Sequence, residues 1–177
     1  MTQPSLDVAG IGNAIVDVIA HVEDSFLVDH ALNKGAMTLI DPERAEALYA
    51  AMGVGVEVSG GSAANTMVGL ALMGGAAGYV GKISEDTLGG VFGHDMATAG
   101  VRFETTPSSA GAPTARCLIM VTDDAQRTMN TYLGACIELG PDDIQEEFIA
   151  AAKITYMEGY LWDPPGAKQA FRKAQSI

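Results

Sequence analysis

The feature that most constrains this fold is an alternation of short apolar strands with helical segments from residue 54 to the end of the chain. The alternation begins with a strand over 54–59 and includes a helix over 141–152 that opens on a proline. Strands separated by helices are typical of βαβ units, whose parallel strands are covered by helices on both faces. The sequence therefore predicts an α/β fold with a largely parallel sheet.

Three segments, at approximately 15–22, 36–40 and 115–132, have strand composition but no helices between them. The last segment contains two strands joined across residues 122–126, which is typical of a hairpin. These segments predict a separate and mostly antiparallel β-layer.

Composition and charge exclude several classes of protein. The 177 residues carry 10 Lys and Arg against 22 Asp and Glu, a net charge of −12, whereas a sequence-independent nucleic-acid binder needs a basic face. The chain has no apolar run of membrane-spanning length and no signal-peptide pattern, so we expect a cytoplasmic protein without a membrane partner. Two cysteines and three histidines fall at no metal-ligand spacing, so no metal site is predicted within this chain.

Asp17 is a candidate binding residue because it interrupts a β-rich run, and aspartate is disfavoured in strands. One interpretation is a solvent-facing residue of an edge strand. The other is a carboxylate that accepts hydrogen bonds from two neighbouring hydroxyls of a polyhydroxyl ligand. Asn13 follows the first strand at its carboxyl end, where ligands of open α/β sheets bind.

Residues 59–66 form the sharpest local motif, in which a strand leads through Gly60 and Gly61 to a helix that opens at Ser62. The two glycines allow backbone N–H groups to approach a ligand without an intervening Cβ. Asn65 lies in the first helical turn, with an amide that both donates and accepts. An ordinary tight turn is the alternative, and the motif matches neither a dinucleotide-binding nor a P-loop pattern.

Two further side chains have chemistry that suits a ligand. Arg127 follows Asp123 and Asp124, so it either forms a surface ion pair or presents a planar guanidinium to phosphate oxygens. Tyr160 lies near the end of a predicted strand over 153–159, where its ring suits stacking on a flat ligand.

Together, these segments resemble the N-terminal half of a ribokinase-like (PfkB family) carbohydrate and nucleoside kinase. Segments of that family have counterparts, in order along the whole chain, at residues 10–17, 59–65, 81–100 and 133–144. In the last of these, Cys136 replaces the usual Asn. The motifs at residues 12–13, 33–35 and 60–62 are most similar to the adenosine-kinase-like branch.

The resemblance implies a three-layer α/β/α domain with a small β-sheet lid formed by the three segments without intervening helices. It implies ATP-dependent phosphorylation of a primary hydroxyl of a sugar or nucleoside, with adenosine favoured, and Mg²⁺ as the accompanying ion. Arg127, on the lid, would approach the transferred phosphate. The implied substrate-binding residues are Asn13, Asp17, Gly60, Gly61, Ser62, Asn65 and Tyr160.

The family's catalytic base, an Asp in a Gly-Ala-Gly-Asp motif, has no counterpart in these 177 residues. The final helix, from residue 165, has no C-cap glycine, so we expect the chain to be the N-terminal part of one domain of a longer kinase and inactive alone. The main ATP and Mg²⁺ residues are then expected beyond residue 177. The alternatives are a ribose- or fructose-type kinase of the same family and a truncated, non-catalytic sugar-binding paralogue. A monomer and a dimer formed through the lid both remain open.

Overall fold

A sheet of four parallel strands forms the centre of the computed structural model, which describes residues 5–177. Parallel strands are usually covered on both faces, and the apolar runs of this sheet are accordingly rich in buried residues. This sheet confirms the predicted parallel arrangement. Its strands, in spatial order, are β6 (Arg102–Phe103), β5 (Ala77–Val80), β1 (Leu6–Ile11) and β9 (Ala152–Met157).

A second sheet of five strands contains the three segments predicted as a separate layer. Its strands, in spatial order, are β3 (Met37–Leu39), β8 (Arg127–Tyr132), β7 (Ala115–Val121), β2 (Ile15–His21) and β4 (Val56–Gly60). β7 and β8 form the predicted hairpin, and β4 also pairs with β2 in the antiparallel direction.

Two predictions about this five-stranded sheet are wrong. It is mixed rather than mostly antiparallel, because β2 pairs with β7 and β3 pairs with β8 in the parallel direction. Parallel neighbours require a crossover, and here the chain passes through the central sheet between β2 and β7. The strand predicted over 54–59 begins at Val56 and belongs to this sheet rather than to the central one, because its partner is β2.

Six α-helices accompany the two sheets within residues 5–177. They are α1 (Asp24–Asp29), α2 (Pro42–Ala51), α3 (Ser62–Leu72), α4 (Thr87–Thr98), α5 (Glu146–Ala150) and α6 (Pro165–Ser176). The helix predicted over 141–152 is wrong in its first half, which is a 3-10 turn, and only the five residues of α5 are α-helical. The Asp143 carboxylate accepts a hydrogen bond from the Gly140 N–H at 2.9 Å, and this local bond closes the turn in place of a helix.

The helices cover both faces of the central sheet, which gives the predicted three layers. α3 and α4 pack on one face around Tyr79, Met67 and Phe92. α5 and α6 pack on the other face around Phe148 and Phe171. α1 and α2 cover one face of the five-stranded sheet instead. Among the described residues, no helix is long and apolar enough to cross a membrane.

One edge of the central sheet carries exposed apolar side chains. β9 has a neighbour on one side only, and Ile154 on this strand is 61% exposed. The side chains of Tyr156 on β9 and Met73 after α3 are also exposed, and they line a shallow groove together with Ile154. We call these three residues the β9 patch. Contiguous apolar surface on a strand edge favours association with another chain.

We expect Ile154→Lys to reduce self-association of the purified 177-residue chain, because it places a charge in the middle of the β9 patch. The melting temperature should change little, since the side chain is exposed. Sedimentation velocity over a range of protein concentrations measures the effect. Val54→Lys is the matched control, because it adds the same charge at a fully exposed residue outside the patch. An equal response of both variants would contradict a role for the β9 patch.

Candidate functional site

The candidate site lies where the carboxyl ends of β1 and β9 meet the N-terminus of α3. β1 and β9 pair up to Ile11 and Met157, and the Glu158 N–H then donates to the Ile11 carbonyl at 2.9 Å. Both strands therefore end at the same level of the sheet. This is the edge at which ligands of open parallel sheets bind.

The Glu158 carboxylate connects these elements. It is only 4% exposed, and it accepts hydrogen bonds from the Asn13 side-chain amide and from the Ala63 N–H, each at 3.1 Å. Ala63 lies in the first turn of α3, where a negative charge is favoured by the helix dipole. Sequence reasoning missed this role of Glu158. The available signal was a carboxylate directly after an apolar strand and directly before a glycine.

Asn13 is also buried, at 4% exposed, and it uses its amide nitrogen to bind Glu158. Its Oδ1 atom is buried without a hydrogen-bond partner among residues 5–177. An unpaired buried acceptor costs about 1–3 kcal/mol. The Asn13 side chain therefore carries a buried acceptor that no described residue satisfies.

Asp17 lies against the backbone of the first glycine of the motif. A Cβ atom added to Gly60 would lie only 2.5–2.6 Å from the three carboxyl atoms of Asp17. Gly61 is required for a second reason, since its φ of +95° is a conformation that favours glycine, and a Cβ there would lie 2.5 Å from the Asn13 carbonyl oxygen. The close approach of Asp17 thus requires glycine at position 60, and the positive φ requires glycine at position 61.

The structure rejects the edge-strand interpretation of Asp17, because β2 lies between β7 and β4 inside the five-stranded sheet. Burial raises the pKa of the Asp17 carboxyl, and the positive charge of Arg127 partly opposes that shift. Asp17 is opposite Cys117, and Arg127 is opposite Val121, four residues further along β7. Side chains two and four residues apart on a strand share a face, so Asp17 and Arg127 lie on the same face of this sheet.

Arg127 is exposed, and it forms none of the ion pairs found among the described residues. The alternative of a surface pair with the preceding aspartates is therefore wrong. Asp124 binds Lys34 instead, with an Nζ–Oδ2 distance of 2.8 Å, and hydrogen bonds from Lys34 and Thr122 lower the pKa of its carboxyl to about 2. The guanidinium of Arg127 remains available on the Asp17 face.

The other predicted residues lie at the margin of this group. Ser62 and Asn65 are exposed on the first turn of α3. The strand predicted to reach residue 159 ends at Met157, so Tyr160 lies in a 3-10 turn and is 82% exposed. The structure thus brings Asn13, Asp17 and the glycine pair together, and it leaves the Tyr160 ring open to solvent.

Within residues 5–177, no group of three or more His, Cys, Asp or Glu side chains is close enough to hold a metal ion. The arrangement instead offers a carboxylate and an amide oxygen as acceptors, and one guanidinium as a charged donor. Such a set suits a ligand with adjacent hydroxyls that meets a phosphate group nearby.

Comparisons with known proteins identify the family of the chain and its similar structures. The profile described as "pfkB family carbohydrate kinase" matches residues 8–177. The crystal structure of adenosine kinase from Sinorhizobium meliloti is 55% identical, with a TM-score of 0.88, and the match covers 97% of this chain and 53% of that one. A probable sugar kinase from Rhizobium etli is 52% identical, also with a TM-score of 0.88, over 98% of this chain and 54% of that one. These likenesses confirm the ribokinase-like fold.

Curated sequences give more distant matches. Probable fructokinase-4 of Arabidopsis thaliana is 28% identical over 124 residues, which are 69% of this chain and 38% of that protein. Guanosine-inosine kinase of Escherichia coli is 25% identical over 169 residues, which are 87% of this chain and 37% of that protein. The chain thus spans less than two fifths of the length of these curated relatives and about half of the solved structures.

The raised pKa of Asp17 predicts that Asp17→Asn stabilises the fold at neutral pH. The folded chain binds this proton more tightly than the unfolded chain, so the wild type loses stability as pH rises from the ordinary value of 3.8 through the folded-state pKa. The amide carries no charge to desolvate, so its melting temperature should exceed that of the wild type at pH 7. The difference should shrink as pH falls towards 3.8.

Thermal unfolding at several pH values measures this difference. Asp7→Asn is the matched control, because a hydrogen bond from Lys153 lowers the pKa of the exposed Asp7 carboxyl. That variant should show no stabilisation at pH 7. A wild type as stable as Asp17→Asn throughout the range would mean that Asp17 bears no desolvation cost.

Proposed function

The chain belongs to the pfkB family of carbohydrate kinases, and from that premise we propose that it provides the substrate-binding part of an ATP-dependent kinase. The proposed reaction transfers a phosphoryl group to a primary hydroxyl of a nucleoside or sugar. The observation that carries the proposal is the Asp17 carboxylate seated on the Gly60 backbone beside the N-terminus of α3. The proposed location is the cytoplasm, where ATP is available.

Asp17 and Asn13 are the proposed acceptors for the substrate hydroxyls. A carboxylate has two oxygens and binds two adjacent hydroxyls at once, as a ribose diol offers them. The Asn13 Oδ1 atom, which lacks a partner in residues 5–177, would accept a further hydroxyl. The absence of a Cβ at Gly60 and Gly61 brings backbone N–H groups to the same place, and Ser62 and Asn65 border it on α3.

Arg127 is the proposed contact to the transferred phosphate. It lies on the same face of the five-stranded sheet as Asp17, and we propose that this sheet is the lid over the substrate. A planar guanidinium donates two parallel hydrogen bonds to phosphate oxygens, and it stabilises charge that develops during transfer. ATP would supply the phosphoryl group. Mg²⁺ would accompany ATP, and none of residues 5–177 is proposed as its ligand.

Adenosine is the proposed substrate, since the Sinorhizobium adenosine kinase is 55% identical over 97% of this chain. The exposed ring of Tyr160, two residues after Glu158, is the proposed stacking surface for the base. A hexose is the second candidate, because a plant fructokinase matches 69% of the chain at 28% identity. Both candidate substrates would use the hydroxyl contacts of Asp17, whereas only adenosine has a base that would stack on Tyr160.

A hybrid kinase tests the proposal. Residues 1–177 of this chain are joined to the part of the Sinorhizobium adenosine kinase that follows the matched region. ADP release is then measured with adenosine, guanosine, inosine, ribose and fructose. We expect turnover with adenosine and none from the 177 residues alone, which lack the Gly-Ala-Gly-Asp motif. Failure of a folded hybrid to phosphorylate any of these substrates would refute the proposed function.

Asp17→Ala in the hybrid should raise the KM for adenosine by at least about 100-fold, because two charge-assisted hydrogen bonds at about 1.5–3 kcal/mol each are lost. Isothermal titration of adenosine measures the same loss without turnover. Asp29→Ala is the control, since that exposed carboxylate on α1 is not part of the site. Unchanged affinity in Asp17→Ala would show that Asp17 does not bind substrate.

Arg127→Ala should instead lower kcat by about 10-fold or more with a smaller change in KM, since its proposed partner is charge on the transferred phosphoryl group. Arg127→Lys should recover only part of the rate, because an ammonium keeps the charge but not the two-pronged geometry. Steady-state kinetics of the hybrid separates the two constants. A rise in KM with unchanged kcat would show that Arg127 does not contact the transferred phosphoryl group.

A further inference from the structure

The start of strand β7 is bound to the cap of helix α4 by a compact set of hydrogen bonds. The Asp86 carboxylate caps α4 by accepting the Gly89 N–H at 2.8 Å. The same carboxylate also accepts the Thr114 hydroxyl at 2.7 Å and the Thr114 N–H at 2.8 Å. The Thr114 hydroxyl in turn accepts the Ser84 N–H at 2.9 Å. We call these four residues the α4–β7 latch.

Capping alone does not require this arrangement. A helix N-cap needs to accept only one hydrogen bond from a helix N–H, whereas the Asp86 carboxylate accepts two more from Thr114, 28 positions away. Gly89 makes room for them, since a Cβ there would collide with the Ser84 carbonyl oxygen and would lie 3.1 Å from the Thr114 Oγ1 atom. A glycine inside a helix costs about 1 kcal/mol relative to alanine. The close approach of Ser84 and Thr114 accounts for the glycine at position 89.

The latch lies at the N-terminal end of β7, where the chain enters the five-stranded sheet. Thr114 directly precedes β7, and Ala115 pairs with Ile15, two residues before Asp17 on β2. The far end of β7 pairs with Arg127 on β8. Strands in a ladder move together, so the position of Thr114 affects both the carboxylate and the guanidinium of the proposed site.

Helix α4 contacts the five-stranded sheet at a second place. The Asp95 carboxylate accepts the Ser59 N–H of β4 at 2.7 Å. β4 and β7 flank β2 on its two sides. One helix of the central layers therefore holds both neighbours of the strand that carries Asp17.

We propose that Asp86 and Thr114 are positioning residues, whose hydrogen bonds set the orientation of the five-stranded sheet over the substrate. The consequence for catalysis rests on the proposed function, whereas the orientation itself does not. Asp17 contributes to binding and Arg127 to phosphate transfer, and both are carried by this sheet. A loosened latch therefore affects KM and kcat together, unlike substitution of either residue alone.

The orientation is measured on the 177-residue chain by electron–electron distance spectroscopy. Spin labels are attached to cysteines introduced at Met37 of β3 and Leu72 of α3, which are both exposed, and the parent chain with its two buried cysteines gives the background. Thr114→Val keeps the branched shape but removes the hydroxyl, so we expect a broader distance distribution than in the wild type. Thr114→Ser restores the hydroxyl, and with it the narrow distribution.

Thr122→Val is the matched control. Thr122 is buried at the other end of β7, and its hydroxyl also donates to an aspartate, Asp124, at 2.6 Å. It should lower stability without broadening the distance distribution. Equal broadening in the Thr122→Val and Thr114→Val variants, or a wild-type distribution in Thr114→Val, would overturn the proposal.

Asp86→Asn provides a second variant if Thr114→Val does not fold. Asparagine is a good N-cap, and its single oxygen can still accept from Gly89 and from the Thr114 hydroxyl. The Thr114 N–H then faces the amide NH₂ group instead of the Oδ2 atom of Asp86, so that hydrogen bond is lost. The same broadening is expected, and an unchanged distribution in this variant also overturns the proposal.

Kinetics of the hybrid kinase connects the latch to catalysis. Thr114→Val should lower kcat/KM by up to about 100-fold, through a higher KM and a lower kcat, since a misplacement of about 1 Å has an effect of that order. Thr114→Ser should recover both constants. An inactive wild-type hybrid would count against the proposed function, and the distance measurement would still decide the role of the latch.

Discussion

The buried carboxylate of Glu158 joins the three elements on which the candidate site is built. It follows β9, binds the Asn13 amide that follows β1, and accepts an N–H from the first turn of α3. Burial of a carboxylate is unfavourable unless its oxygens are paired, and here each oxygen has a donor. Gly12 belongs to the same arrangement, because a Cβ at that position would collide with the Glu158 Oε2 atom. The position of α3, and hence of the two glycines before it, depends on this contact.

Asp17 differs from Glu158 in a way that fits a different task. The oxygens of Glu158 are occupied by protein donors, whereas burial raises the pKa of Asp17 and only the charge of Arg127 opposes the shift. A carboxylate that is desolvated but not saturated with donors is unfavourable for the free protein. The same property leaves it able to accept ligand hydroxyls. Glu158 therefore joins structural elements, whereas Asp17 is the carboxylate that we propose for ligand binding.

The residues of the candidate site are distributed between the central layers and the five-stranded sheet. Asn13 and the start of α3 belong to the central layers, whereas Asp17 and Arg127 lie on the five-stranded sheet. The two parts touch where β1 passes into β2 and where β4 passes into α3. Helix α4 adds contacts to β4 and β7. A ligand between the parts would meet groups whose relative positions depend on these connections and on the packing of Val16 of β2 among buried residues of α3 and α4.

Local sequence patterns predicted many of the elements and some of their ends. The hairpin of β7 and β8 forms across residues 122–126 as predicted, and Asp41 and Asp86 accept N–H groups as the caps of α2 and α4. The parallel central sheet follows from the same kind of evidence. These features depend on residues close together in the chain, so periodicity, caps and turn residues are sufficient to predict them.

Only the tertiary structure decided which strands are neighbours and which polar groups are paired. The strand at 56–60 pairs with β2 rather than with the central sheet, and Asp17 consequently lies on an interior strand. The burial of Glu158 is offset by a hydrogen bond from Asn13, 145 positions earlier, and Thr114 binds a helix cap 28 positions away. Such partners are chosen by long-range packing and hydrogen bonding, which leave no periodic signal in the segments involved. The sequence could therefore identify candidate residues, whereas their separation into groups with protein partners and groups without them required the assembled fold.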